Sequence, residues 1–474
     1  MGKFYITTTL PYVNAEPHIG FAMEIIRADV LARLHRAMGD EVFFNTGTDE
    51  HGQKIYQKAV EAGKEPKAYC DEYAERFGRL KRGLNLSYNN FIRTTDEHHL
   101  VAAQEFWKLC ESKGDIYKKI YRIKYCVGCE LEKTDSELIN GKCPLHPTQE
   151  LENIEEENYF FRLSNYQQKL LDLYESHPNF VIPDFRQNEM KIFVQGGLQD
   201  FSVSRVKAKM PWGVEVPGDP SQIMYVWFDA LVNYISALGW PETQERFDGF
   251  WPGIQVCGKD NLRQQTAMWQ AMLMSAGLPT SKQIFVGGFL TSGGQKISKS
   301  LGNVINPIEW AEKYSTDALR YFLLAEVSVF EDSDVTVDRF EEAYQGNLAN
   351  GIGNLAARVA TMAERIGLKV PEQKLGIREE VVNKLKEFRF DEAMKFIWED
   401  VKRADTLINQ REVWKLTGED QRFVLANLVR IIRQIAVDLA PFMPETSDKL
   451  RVMFAGEEIK RGENLFQRIE KHVG

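Results

Sequence analysis

A chain of 474 residues, 43% hydrophobic and 27% charged, carries enough apolar side chains to bury several cores, which excludes a largely disordered chain and predicts about three domains. Its net charge of −9 argues against a general nucleic-acid coat, although an acidic protein can still present a local basic face to RNA. No basic stretch followed by an apolar core opens the chain, and no apolar run nears the roughly 20 residues that span a bilayer, so neither secretion nor membrane contact is expected.

The first elements read as strand, loop, helix, strand. Phe4 to Thr9 is β-branched and aromatic, Leu10 to Pro17 carries two prolines, and Phe21, Ile25, Ala28 and Ala32 recur at helical spacing. Gly39 ends that helix and Val42-Phe43-Phe44 begins the next strand. This βαβ unit predicts a parallel sheet with ligands beyond the carboxyl ends of its strands. Further strands, Ile254 to Cys257 and Ile284 to Val286, come far downstream, so the sheet is interrupted by an insertion from about Asp115 to Ile223. Within it, the acidic run Glu155-Glu156-Glu157 reads as a solvated loop. From about Gln345 helices follow one another, with Leu348, Ile352, Leu355 and Val359 as one apolar stripe and Leu425, Leu428, Ile432 and Ile435 as another.

The insertion holds Cys126-Val127-Gly128-Cys129 and Cys143-Pro144-Leu145-His146. Two such pairs, each with two intervening residues, can fold as knuckles that present three thiolates and an imidazole tetrahedrally to zinc. The clustering also speaks for a reducing compartment, the cytoplasm. The site reads as structural, because neither an open ligand position nor a nearby general base is evident.

Pro17-His18-Ile19-Gly20 lies at the turn from the first strand into the first helix, where backbone N–H groups and the helix dipole favour a phosphate. By itself the string is equally explained by a loop histidine capping a helix. Lys296-Ile297-Ser298-Lys299-Ser300, preceded by Ser292-Gly293-Gly294, puts two lysines on a loop able to close over a triphosphate and offset the charge of departing pyrophosphate. By itself it is equally a solvated basic loop. Finding both, in this order, each at the mouth of a predicted parallel sheet, is far more specific than either.

The two strings resemble the signatures of class I aminoacyl-tRNA synthetases, usually written H-I-G-H and K-M-S-K-S. The blocks around them resemble the methionyl-tRNA synthetase family in particular: Thr9-Leu10-Pro11-Tyr12-Val13-Asn14, Gly47-Thr48-Asp49-Glu50-His51-Gly52, Tyr225-Val226-Trp227-Phe228-Asp229-Ala230 and Gly258-Lys259-Asp260. Isoleucine, valine, leucine and cysteine synthetases share the signatures but not this set, and the similarity runs well into the helical region.

The resemblance implies an α/β fold: a Rossmann-type catalytic domain over 1–114 and 224–314, a zinc-knuckle connective domain over 115–223, a stem-contact region over 315–344 and an all-α anticodon-binding bundle over 345–474. It implies ATP-dependent activation of L-methionine and transfer to tRNA(Met), initiator tRNA included, with Mg²⁺ accompanying ATP. By position, His18, Gly20, Lys296 and Lys299 would be catalytic, and Pro17 and Ser298 would join them around ATP. Leu10, Tyr12, Trp227, Ala230, Tyr234 and Gln265 would line the methionine pocket and Asp49 would meet the ammonium; apolar and aromatic walls suit a thioether. Asn354, Arg358, Asn409 and Trp414 would read the anticodon by base-edge contacts and stacking.

Three positions depart from the commonest family pattern. Phe21 replaces the second histidine of the first signature, and Asn261 and Gln265 stand where an apolar residue and a histidine are usual. The chain ends at Gly474, soon after the bundle, so a monomer without an appended C-terminal domain is expected.

Overall fold

The strand β1 (Lys3–Thr8) has five of its six residues buried, as a strand covered on both faces of a parallel sheet requires. In the computed structural model, which describes residues 2–133, 135–297 and 303–469, β1 stands at the centre of a six-stranded sheet. From it the chain runs through the helix α1 (Ile19–Ala37) to β2 (Glu41–Thr48) and later to β3 (Asn90–Arg93). The strand order is β3, β2, β1, Ile254–Gly258, Gln283–Gly287, Val181–Ile182. Phe4 lies opposite Val42 on one side of β1 and Ile6 opposite Ile254 on the other, both pairings parallel.

Contacts divide the chain into two compact units. One comprises Met1–Pro17, Glu41–Arg79 and Tyr88–Val286, and the other His18–Asp40, Leu80–Ser87 and Gly287–Gly474. The first unit holds the parallel sheet and an aromatic core, in which Phe106 stacks on Trp269 at 5.5 Å and Trp107 meets Phe228 edge-on at 5.1 Å. Tyr12, Asp49 and Gln265 all follow the carboxyl ends of its strands, as the ligand rule for such sheets anticipates.

Two segments differ from the sequence reading. Val181–Ile182, placed inside the insertion, pairs in parallel with Ile284 and Phe285 as the sheet's edge strand; two residues are too short to show a period-two pattern. The acidic run is not a loop. Glu155, Glu156 and Glu157 lie in the strand Glu152–Phe161, antiparallel to Ile116–Cys126 with Ile120 opposite Glu157. Cations lie near two of them: Lys118 is 4.0 Å from Glu157 and Lys209 donates to Glu156 at 3.1 Å. Charge placed the run in solvent, and Glu155 and Glu157 do lie exposed; that the run is a strand follows from its pairing with Ile116–Cys126, which carries lysines near it.

In the second unit a fully buried ion pair ties α1 to the helix Thr316–Tyr321: Arg320 and Asp29 meet at 2.8 Å. The guanidinium also donates to the carbonyls of Phe442, Pro441 and Leu84, so its remaining donors are satisfied, as a buried charge requires. The helices Asn354–Arg365, Phe390–Gln410 and Gly418–Leu439 follow. Both predicted apolar stripes are fully buried. Among the described residues no helix is long and apolar enough to cross a membrane.

Candidate functional site

The start of α1 carries the first signature. His18 is its N-cap, extended at φ −121° and ψ 166°, and its ring Nδ1 accepts from the Gly20 N–H at 3.1 Å. The capping reading of the string therefore holds. With Nδ1 accepting, a neutral ring carries its proton on Nε2, which makes that nitrogen a donor. A Cβ at position 20 would lie 2.9 Å from the ring carbon Cε1 of His18, so only glycine lets the ring fold back over the helix end. No acidic residue sits in the first turn to offset the helix dipole. Pro17 and Phe21 are buried.

The second signature begins on a hairpin. Leu290–Ser292 pairs antiparallel with Gln295–Lys296 through Gly293 and Gly294, at φ +61° and +72°, the two successive positive φ values of a tight hairpin turn. Asp334, which no motif pointed to, accepts from the Gly294 N–H at 2.9 Å and from the Thr291 hydroxyl at 2.8 Å. These two donors hold its carboxyl below the usual range. Ser298 and Lys299 lie outside the described residues; Lys296 is placed only by its backbone on the second strand of the hairpin.

The residues expected to line the methionine pocket all lie in the first unit. Tyr12 and Asp49 form an isolated parallel bridge past the ends of β1 and β2, with Val13 N–H on the Asp49 carbonyl at 3.3 Å and Asp49 N–H on the Pro11 carbonyl at 3.0 Å. The Tyr12 and Trp227 rings meet edge-on at 6.3 Å. The Tyr12 hydroxyl and the Trp227 indole N–H are buried with no partner among the described residues, which is unusual for buried donors. Trp227, Ala230 and Tyr234 recur at i, i+3 and i+7 along consecutive helical turns, on one face. Leu10 is half-buried beyond β1. Gln265 lies in a π-helical turn, Gln264–Met268, and donates to the Tyr234 hydroxyl at 2.6 Å.

Asp49 is 3% exposed. Burial pushes its carboxyl well above the usual range, and the negative charges of Asp229, Glu130 and Glu50 push it further. Asp229, fully buried, goes the opposite way. Burial alone would raise it, but His51 Nδ1 at 2.6 Å and His99 Nε2 at 2.8 Å bring it down to about 2. His99 Nδ1 in turn meets the Ser236 hydroxyl at 2.8 Å. Sequence reasoning gave this His51–Asp229–His99 group no role, although His51 and Asp229 belong to the quoted blocks; only the fold brings His99 to them. Two acids with such opposed environments make this a candidate functional centre.

The four predicted metal ligands converge. Cys126, Cys129, Cys143 and His146 have their ligand atoms within 4.8 Å of one another, with Cys129 Sγ 3.4 Å from Cys143 Sγ and 3.2 Å from His146 Nδ1. A zinc tetrahedron with sulfur at 2.3 Å and nitrogen at 2.0–2.1 Å has edges of about 3.5–3.8 Å, so the cage fits that ion. Gly128 makes room for it: a Cβ there would lie 2.6 Å from the His146 ring. Glu130, buried and unforeseen, accepts from the Lys54 N–H at 2.7 Å and from the Tyr125 hydroxyl. It thereby caps the helix Gln53–Glu61, whose own N-cap, Gly52, has no side chain.

In the second unit Arg358 donates to Asn409 at 2.9 Å and Asp405 at 3.0 Å, and its guanidinium lies 5.7 Å from the Trp414 ring. Trp414 is 46% exposed. It lines an open hollow of about 530 Å³ with Arg358, Thr361, Met362 and Arg461. Asn354 lies one turn before Arg358 on the same helix. Trp414 is thus a surface residue, not part of the core.

The description "tRNA synthetases class I (M)" belongs to the family model that matches residues 4–154 and 147–360. A methionine--tRNA ligase of Thermotoga maritima is 41% identical over 99% of this chain and 80% of its own length, and one of Thermosynechococcus vestitus is 42% identical over 94% and 89%. The Mycobacterium tuberculosis methionyl-tRNA synthetase in complex with methionyl-adenylate superposes with a TM-score of 0.93 at 35% identity, covering 99% of this chain and 100% of that one. With signatures, sheet and metal cage all in the same chain, the chain belongs to the methionyl-tRNA synthetase family of class I aminoacyl-tRNA synthetases.

Proposed function

We propose that the chain joins L-methionine to tRNA(Met), the initiator included, in two ATP-driven steps. The observation that carries this reading is the pairing of Tyr12 and Trp227 edge-on beside the buried, upshifted Asp49. Aromatic faces hold a thioether and a desolvated carboxyl awaits an ammonium. Leu10, Ala230, Tyr234 and Gln265 complete the methionine pocket. First, the methionine carboxylate attacks the α-phosphorus of ATP in line and pyrophosphate leaves. His18, Gly20, Lys296 and Lys299, with Pro17 and Ser298, bind the phosphates, and Mg²⁺ enters as the counter-ion of ATP. Then a ribose hydroxyl of the tRNA's terminal adenosine attacks the mixed anhydride and AMP departs. No enzyme nucleophile is needed, so positioning and electrostatics supply the acceleration.

The domain assignment follows the same reading: catalytic halves over 1–114 and 224–314, a connective domain over 115–223 braced by structural zinc on Cys126, Cys129, Cys143 and His146, a stem-contact region over 315–344 and an anticodon-binding bundle over 345–474. The chain acts as a monomer in the cytoplasm; the gathering of Cys126, Cys129 and Cys143 with His146, a metal-ligand set suited to a reducing compartment, supports the compartment. Asn354, Arg358, Asn409 and Trp414 read the anticodon. Trp414→Ala should lower kcat/KM for tRNA(Met) by about ten- to a hundredfold, the worth of one stacked base. Methionine-dependent pyrophosphate exchange should stay unchanged, and equal loss of both activities would return Trp414 to a structural role.

Phe21 separates phosphate binding from packing. Being buried, it serves as an apolar wall, while His18 and the backbone at the start of α1 contact phosphate. His18→Ala should slow exchange by about ten- to a hundredfold, the worth of one hydrogen bond to a charged group. Phe21→Leu should cost far less; similar losses would contradict this division. The reading as a whole is tested by charging a tRNA(Met) transcript with labelled methionine, which should succeed while transcripts with other anticodons remain uncharged.

A further inference from the structure

Arg27, on α1, is a buried charge held by backbone. It is 1% exposed, and the hydrogen bonds of its guanidinium go to two carbonyls: Nη2 donates to Ser328 at 2.9 Å and Nη1 to Val329 at 3.1 Å. Burial draws the group down to about 10. A charge kept in the core at such a cost points to a task in holding Ser328 and Val329.

From those residues the chain leads to the second signature. The Val329 carbonyl also accepts from the Gly288 N–H, at the root of the glycine hairpin, at 3.4 Å. A Cβ at Gly288 would collide with the Glu331 carbonyl, so only glycine lets the two segments lie against each other. Two further bonds brace the segment 328–334: the Ser328 N–H donates to the Ser333 hydroxyl at 2.9 Å, and the Phe289 N–H to Asp332 Oδ1 at 3.0 Å. Ser333–Asp334 then runs parallel to Leu290–Ser292, with Asp334 opposite Thr291 and its Oδ1 on the Gly294 N–H. On the far side of the signature, the Ile19 N–H donates to the Ile305 carbonyl at 3.1 Å. All these residues belong to one compact unit.

We infer that Arg27 and Asp334 are positioning residues of the reaction: through the segment 328–334 they set the glycine hairpin against α1, so that both signatures meet the phosphates in one prearranged geometry. This rests on the reading of the two signatures as phosphate binders, proposed above. Neither residue touches the reacting atoms in this scheme.

Two measurements test it. In pyrophosphate exchange, Arg27→Met, which fills the space without a buried charge, and Asp334→Ala should each lower kcat/KM for ATP about ten- to a hundredfold, the worth of one hydrogen bond to a charged group. The KM for methionine should hold. Asp334→Asn keeps an accepting Oδ1 and should retain most of the activity. The double variant should lose little more than the worse single one, because both changes free the same segment. Independently of activity, the amides of the hairpin 290–296 should exchange with deuterium faster in Arg27→Met, as they should in Asp334→Ala. If Arg27→Met does not fold, Arg27→Gln, which keeps one donor, should give the same pattern at smaller size. Hairpin exchange unchanged in the folded Arg27 variant, multiplying losses in the double variant, or equal losses in Asp334→Asn and Asp334→Ala would overturn the inference. Absence of methionine-dependent exchange in the unmutated chain would instead sink the functional reading beneath it, and the deuterium result would still decide whether Arg27 holds the hairpin.

Discussion

Asp49→Asn should lower kcat/KM for methionine in pyrophosphate exchange by about a hundred- to a thousandfold, the cost of leaving a buried ammonium without its countercharge. The geometry of the bridge to Tyr12 is made by the backbone and should survive, so the KM for ATP should hold. The pH dependence has a definite sign. In the free chain burial, then Asp229, Glu130 and Glu50, keep the Asp49 carboxyl well above its usual range. Below that raised value the carboxyl is protonated, and an ammonium must expel the proton to bind. The KM for methionine should therefore fall as pH rises through the raised value and climb as pH drops. Asp49→Asn should flatten this profile. A wild-type KM independent of pH across the carboxylate range and up to neutrality would contradict the account of Asp49.

Removing the metal should act on the fold before the chemistry. Purified without added zinc, the chain should carry about one zinc ion, and Cys143→Ser should carry none. The cage atoms lie within 4.8 Å of one another, and structural zinc contributes about 10–16 kcal/mol in small knuckle peptides, so a strong chelator should unfold the segment from Cys126 to His146 and open it to proteolysis. The loss should then spread by one route. Glu130 would release the start of the helix Gln53–Glu61, and Lys54, which donates to the Gly128 carbonyl at 3.2 Å and lies 5.8 Å from the Tyr12 ring, would lose its anchor. The KM for methionine should rise more than the KM for ATP. Metal-free protein with full resistance to protease would show that the cage is not a zinc site.

Local signals in the sequence proved the most readable. β1, α1 and β2 carry their pattern within a few residues each, and Gly39 ends α1's turn at φ +92°. The Cys-x-x-Cys and Cys-x-x-His pairs announce a cage because ligand spacing is itself local. What stayed hidden depends on pairing across long distances. Glu155 to Glu157 read as a loop because their strand shows only in its pairing with Ile116–Cys126, and Val181–Ile182 gains its place in the sheet only from Ile284 and Phe285. His99 reaches Asp229 across 130 residues, and Glu130 caps a helix that begins at Gln53. Asp334 reaches the glycine hairpin in the same way. No window of sequence contains both partners of such contacts, so motif reading names candidate site residues and misses those that hold them in place.

Methionine-dependent exchange of labelled pyrophosphate into ATP, run against the other standard amino acids, tests the central claim most directly. Exchange with methionine should need Mg²⁺, and exchange should be at least about a hundredfold weaker with isoleucine, leucine, valine and cysteine, because the pocket's polar groups would then be left unpaired. Exchange driven best by another amino acid, or none at all from folded, zinc-loaded protein, would contradict it.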